Sequence, residues 1–164
     1  MVVRRAETRE LSEILAVYAK ARSFMKETGN PTQWGEAYPS EALLSEDIRE
    51  GRLYVLLSDG CICGAFALFE TGDPLYDALD GVWQNTLPYA AIHRVASAGT
   101  ERGVLAATVA FSLSVSDNLK IDTHEDNRVM QAALAKQGFV RCGVADLPEI
   151  GRRILYQRYE EKKQ

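Results

Sequence analysis

The sequence predicts a mixed α/β (α+β) fold: a central mixed, mostly antiparallel sheet of about six to seven strands with helices on both faces. Three observations carry that prediction. Two apolar runs, Leu53–Leu57 and Cys61–Phe69, flank Ser58-Asp59-Gly60, and Asp-Gly between such runs is a strong hairpin signal. Further on, the apolar run Tyr89–Ser97 passes through a glycine-containing turn straight into an apolar helix. A third run, Leu119–Asp122, then leads to a short helix and two closing strands, which makes a β-α-β-α series.

Taken in order, Val2–Arg5 reads as a short strand and Thr8 as a helix N-cap, with Glu10 in the first turn where the helix dipole favours a carboxylate. Leu11, Ile14, Leu15 and Tyr18 form one apolar stripe on a helix that ends between Ser23 and Lys26. Residues 27–31 break the pattern and open a loop that holds Trp34 and Tyr38. Pro39-Ser40-Glu41 caps a second helix, which runs through Ile48 until Gly51 stops it. Residues 71–87 carry Gly, Asp, Pro and Asn and read as a long loop or a broken short helix. The helix from Gly103 to Ser114 is apolar nearly all round, which predicts burial against the sheet. Asn127–Gln137 is the next helix, with Met130, Ala133 and Leu134 inward and Gly138 as its C-cap, and Phe139–Ala145 and Arg153–Tyr159 close as antiparallel strands.

With 164 residues and no repeats or linkers, the chain reads as a single domain over 1–164. Apolar residues make up 46% and charged residues 26%, as in ordinary globular proteins. No run approaches the roughly 18–20 apolar residues of a membrane span, and Met1–Arg5 lacks the apolar core of a secretory signal. Cys61, Cys63 and Cys142 have no metal-ligand spacing, so no metal is expected and a reducing cytoplasm is the natural setting. A net charge of −4 without a Lys/Arg cluster argues against nucleic acid as a partner.

Two blocks carry chemistry. In the first, Arg102-Gly103-Val104-Leu105-Ala106-Ala107-Thr108 opens a helix directly after a strand, and the unpaired N–H groups of a helix start bind phosphate oxygens well. In the second, Asn127 is followed eleven and twelve residues later by Gly138-Phe139. Asn127 also suits a plain N-cap role. With these blocks and this element order, the chain resembles the GNAT superfamily of N-acetyltransferases over essentially its whole length. The resemblance implies acetyl-CoA (CoA) as cofactor, its pyrophosphate on a turn of the form Arg/Gln-x-x-Gly-x-Gly/Ala. Arg102 takes the leading position and Ala107 the last, whereas Leu105 stands at the central glycine. The resemblance further implies that the backbone of Val95, Ala96 and Ser97 pairs with the pantetheine arm, that the amides of residues 102–108 face the phosphates, and that Asn127 contacts the cofactor. The family's frequent tyrosine, seven residues after the asparagine, is replaced by Leu134.

Acetyl transfer to an amine needs a base to take a proton and a donor to steady the oxyanion. His93, Glu70 and His124 are the candidate bases, and the amide of Ala96 is the candidate donor. Trp34, Tyr38, Trp83 and Tyr89, with Tyr76, are candidates for the substrate pocket, since aromatic residues in long loops suit apolar or cationic ligands. The resemblance thus implies an acetyl-CoA-dependent N-acetyltransferase acting on a small-molecule or peptide amine. The alternative is a non-catalytic acyl-CoA-binding sensor on the same fold. The closing strand Arg153–Tyr159, read as a sheet edge, admits a homodimer.

Overall fold

The computed structural model describes residues 1–161, so the last three residues of the expected domain lie outside the described residues. The elements are β1 (Val2–Arg5), α1 (Leu11–Glu27), α2 (Glu41–Arg49), β2 (Leu53–Ser58), β3 (Cys61–Phe69), β4 (Asp80–Gly81), β5 (Ala90–Ser97), α3 (Val104–Val115), β6 (Asn118–Thr123), α4 (Arg128–Lys136), β7 (Val140–Leu147) and β8 (Gly151–Tyr159). They form one mixed sheet in the order β1-β2-β3-β5-β6-β8-β7-β4. Among the described residues only the β5–β6 pair is parallel.

Local chemistry explains most boundaries. Asp59 and Gly60 both take positive φ, 49° and 78°, which matches the twist of a two-residue hairpin and joins β2 to β3 in register Ser58↔Cys61. Ser40 caps α2 by accepting from the Leu43 N–H at 3.1 Å. The start of α1 differs from the expected Thr8 cap. Thr8–Glu10 is a short 3-10 turn, and the Glu7 N–H donates to Glu10 Oε2 at 2.9 Å, while Arg4 pairs with the same carboxylate.

The core lies in layers. On one face α1 and α2 bury Ile14, Tyr18 and Leu44 on Leu53, Val55, Ala65 and Ala67. On the other face α3 and α4 place Val104, Val109 and Leu134 against Leu56, Phe66, Ile92, Leu119 and Ile121. As expected, α3 is buried against the sheet, along Val104, Thr108, Val109 and Ser112. Its outer line is Ala106, Ala110 and Ser114, side chains too small to expose much apolar area. A third cluster (Tyr76, Ala91, Ala145, Leu147 and Leu155) sits under residues 71–87, the stretch expected to be a long loop or a broken short helix.

That stretch holds the eighth strand. It forms a 3-10 turn at Pro74–Ala78, then the two-residue β4, which pairs Asp80↔Val144 and Gly81↔Gly143 on the edge of β7. The pairing depends on two facing glycines. A Cβ on Gly143 would lie 2.1 Å from the Asp80 carbonyl oxygen, and one on Gly81 would lie 2.1 Å from that of Cys142. We expect Gly143→Ala to detach β4 and to lower stability by about 1–3 kcal/mol, as overpacking does. Urea unfolding measures the loss, and faster hydrogen exchange at the Val82 N–H, which now donates to the Cys142 carbonyl, reports the detachment.

The expected edge position of the last strand does not hold. β8 lies between β6 and β7 with ladders on both sides, so it has no free edge for a partner subunit. The pairing rule is physical: a strand with both rows of N–H and C=O groups spent offers nothing to a neighbour.

Candidate active site

β5 and β6 pair only over Ala90↔Leu119, Ala91↔Lys120 and Ile92↔Ile121. Beyond Ile92 the two strands part, and a cavity of about 540 Å³ fills the gap. On its other edge β5 carries a bulge. The rungs Ala67↔His93 and Ala65↔Ala96 leave Phe66 opposite two residues, Arg94 and Val95. Residues between rungs have no ladder partner on that side, and Val95, one of the two, lines the cavity. The Ala96 amide, the expected oxyanion donor, lies instead on a rung with Ala65.

The bulge is fixed from two directions. Arg94 adopts φ 53°, an uncommon conformation for a side-chain-bearing residue. Its carbonyl accepts from the Tyr18 hydroxyl at 2.7 Å. Its guanidinium donates to both oxygens of Asp47, at 2.9 and 3.0 Å, and to the Tyr38 hydroxyl at 3.3 Å. Asp47 is fully buried and also accepts from Arg52 Nε at 2.7 Å. Burial alone would depress the charged form of Arg94, yet the Tyr38 and Asp47 oxygens hold its pKa above the ordinary value.

His93, on the next rung, faces the third cluster between Phe69 and Tyr76. Its Nε2 stands 2.9 Å from Asp73 Oδ2, within hydrogen-bond range but off the ideal line. Its Nδ1 stands 3.8 Å from Asp122 Oδ2. Burial opposes the ionised form of Asp73, but His93 and the Leu75 N–H outweigh it and draw the carboxyl below its ordinary pKa. Asp73 is further braced through its backbone, since its N–H donates to the Tyr89 hydroxyl and its carbonyl accepts from it. Asp122 Oδ2 accepts from the Tyr76 hydroxyl at 2.5 Å, and Asp122 Oδ1 faces Arg153 Nε at 3.8 Å.

At the turn into α3, Gly103 is the N-cap with φ 84°, and a Cβ there would meet nothing nearer than Met1 Cε at 3.9 Å. The position that needs glycine is therefore 103 rather than 105. Leu105 lies in the first helical turn with its side chain packed against the core, which leaves the amides of residues 104–106 without an acceptor in the helix. Asn127 caps α4 by accepting from the Met130 N–H at 3.0 Å and donates to Gln33 Oε1 at 3.0 Å. It lines the cavity all the same.

The structure brings His93, Val95, Asn127, Trp34 and Tyr38 to this cavity. Other candidates lie elsewhere. Glu70 is half-exposed beside Arg5 and the Tyr54 hydroxyl, in a separate depression. His124 Nδ1 accepts from the Asp126 N–H at 3.0 Å and braces the loop before α4. Trp83 and Tyr89 sandwich Lys120, whose Nζ stands 3.8 and 3.9 Å from their ring centres. Burial lowers the Lys120 pKa.

Among solved structures, an acetyltransferase of the GNAT family from Streptococcus agalactiae is similar over 98% of this chain and 96% of its own, at 31% identity and a TM-score of 0.86. The chain belongs to the GNAT family. A ribosomal-protein-alanine N-acetyltransferase from Brucella melitensis shares the GNAT fold at 18% identity and a TM-score of 0.61, covering 98% of this chain and all (100%) of the other. So does a GNAT-like decarboxylase in complex with isobutyryl-CoA, at 14% identity and a TM-score of 0.67 over 97% and 99% of the two chains. No family sequence model matches the chain, and no curated protein does. GNAT membership supports acyl transfer as the general chemistry.

Asp73 and Arg153 of this GNAT cavity were missed by sequence reasoning, as was Asp47, buried behind Arg94. Asp47 left one signal. It falls on the apolar stripe of α2 between Leu44 and Ile48, where a carboxylate is out of place. Asp73 and Arg153 left none, because their partners lie far away in sequence.

Proposed function

We propose that the chain is an acetyl-CoA-dependent N-acetyltransferase, built on one domain over 1–164, that acetylates a primary amine of a small molecule or peptide by direct attack. The observation that carries the reading is His93, set between Asp73 and Asp122 at the point where β5 and β6 part. The residues present fit an acyl-CoA. An unpaired stretch of β5 borders the gap, and Gly103 with the free amides of 104–106 offers an open, Cβ-free cradle for phosphate oxygens. Arg102 stands at that end, with Val95 and Ser97 along the strand and Asn127 in the cavity wall. The Ala107 N–H is taken by the Gly103 carbonyl and Thr108 is buried with its hydroxyl on the Val104 carbonyl, so neither of these two reaches the phosphates.

Bound acetyl-CoA supplies an activated acetyl group as a thioester. The chain's own groups do the rest. With the Nε2 proton held toward Asp73, His93 presents the Nδ1 lone pair to the cavity and takes a proton from the incoming ammonium. The Val95 amide steadies the charge that develops on the carbonyl oxygen. Trp34 and Tyr38 wall the entry of the amine. Leu134 is fully buried, so position 134 gives no proton to the departing thiolate. That same leucine is the observation favouring the second reading, a non-catalytic acyl-CoA sensor.

Two measurements test the proposal. Acetyl-CoA at about 100 times its Kd is expected to raise stability by roughly 2.7 kcal/mol, and Gly103→Pro, which cannot adopt φ 84°, is expected to abolish the gain. Mass spectrometry of an amine panel incubated with acetyl-CoA reads catalysis directly. Stabilisation without any acetylated product would select the sensor.

A further inference from the structure

Arg153 is the cavity's unusual cation. It is 6% exposed in the cavity wall, and its pKa lies below the ordinary value because burial outweighs the attraction of Asp122. Among the described residues its hydrogen-bond acceptors are two carbonyls, Arg152 at 2.9 Å and Gln33 at 3.3 Å. Asp122 stays at 3.8 Å from Nε, outside hydrogen-bond range, and its other oxygen is taken by Tyr76. Arg153 therefore has N–H groups left over and no tightly held anion. The cavity's other arginine, Arg94, has no such need, because Asp47 satisfies it at 2.7 Å.

Beside this cation lies a seat for an ammonium. His93 Nδ1 and Asp122 Oδ2 are both acceptors when Nε2 carries the imidazole proton, and they stand 3.8 Å apart. One ammonium group set between them donates to both. Arg153 and His93 each face one oxygen of the same Asp122 carboxylate, so the two seats border one side chain. Apolar side chains, Leu75, Leu147 and Ile150, with Met25 and Trp34, line much of the remaining wall, and Glu149 stands exposed among them.

We infer that the amine acceptor is a free α-amino acid with an apolar side chain, its carboxylate held by Arg153 and its ammonium held between His93 and Asp122. The inference rests on the acetyltransferase reading and narrows it: a peptide amine has no carboxylate at this distance, and a simple alkylamine has none at all. In the net reaction the amino-acid nitrogen gains the acyl carbon as the carbon–sulfur bond breaks. Ammonium and thioester become amide, thiol and one proton, which His93 passes to solvent.

The test compares the common apolar α-amino acids, each beside its carboxamide and its decarboxylated amine, with acetyl-CoA as donor. A charge-assisted contact predicts kcat/KM about ten- to a hundredfold higher for the amino acid than for either analogue. Arg153→Leu is expected to erase that preference while the KM for acetyl-CoA stays unchanged. Arg153→Lys, which keeps a cation, serves if the leucine variant does not fold, and is expected to restore part of the preference. Calorimetric binding of the same amino acids and of their deaminated acids gives a readout independent of turnover, and the acids are expected to lose affinity in the Arg153 variants. Carboxamides or alkylamines acetylated as well as the amino acids would overturn the substrate class and leave the acetyltransferase standing. Absence of acetylation, with amino acids bound through Arg153, would overturn the transferase reading and keep the site. Amino acids that neither bind nor react would overturn the inference outright.

Discussion

Asp47→Ala is expected to cost about 3–5 kcal/mol of folding stability, because it strands buried positive charge. Asp47 is 0% exposed and meets Arg94 through both carboxylate oxygens and Arg52 through one. Truncation leaves Arg94, itself buried against Phe69, with the Tyr38 hydroxyl as its remaining side-chain acceptor. The loss should appear in urea unfolding as a lower midpoint at constant m-value. A double variant, Asp47→Ala with Arg94→Leu, removes both members of the tighter pair and is expected to recover part of the loss, since no counter-charge is then missing from that pair. The double variant also frees the bulge from its side-chain anchor. Near-wild-type stability of the single variant would show that this carboxylate does not balance the arginines.

The second large effect concerns turnover. His93→Gln preserves polarity and approximate size but removes the base, so kcat/KM is expected to fall about 10²–10⁴-fold, the usual worth of general acid–base catalysis. Acetyl-CoA affinity should hold, because the phosphate cradle at Gly103 and the strand edge at Val95 are untouched. Stopped assays with acetyl-CoA and an accepted amine measure the first quantity, and calorimetry the second. Retained turnover in the variant would move the base to Asp122 or to solvent.

Much of the fold was legible because its signals are local. Asp59-Gly60 dictates a tight hairpin wherever it occurs between apolar runs, and Ser40 and Asn127 cap the helices whose starts they mark. β4 left no such signal. Two residues carry no periodicity, and the strand exists only because Gly81 and Gly143, distant in sequence, permit backbones to approach closely. The edge position expected for the last strand failed for a related reason: β8 inserts between β6 and β7, a choice made by tertiary packing. The site divided along the same line. The motif blocks around Gly103 and Asn127 are contiguous and could be read. The polar frame around His93 is assembled from β5, β6, β8 and the loop before the 3-10 turn, and each contributor alone reads as an ordinary surface charge.

The placement of the chain's two tryptophans has a spectroscopic consequence. Trp34 lies in the cavity wall, 5.7 Å from the ring of Tyr18, while Trp83 lies outside it with the Lys120 ammonium over its indole. Ligand entry should therefore alter the emission of one fluorophore and leave the other as an internal reference. Trp34→Phe and Trp83→Phe would separate them into a sensor of occupancy and a reference signal, each readable in the unlabelled protein.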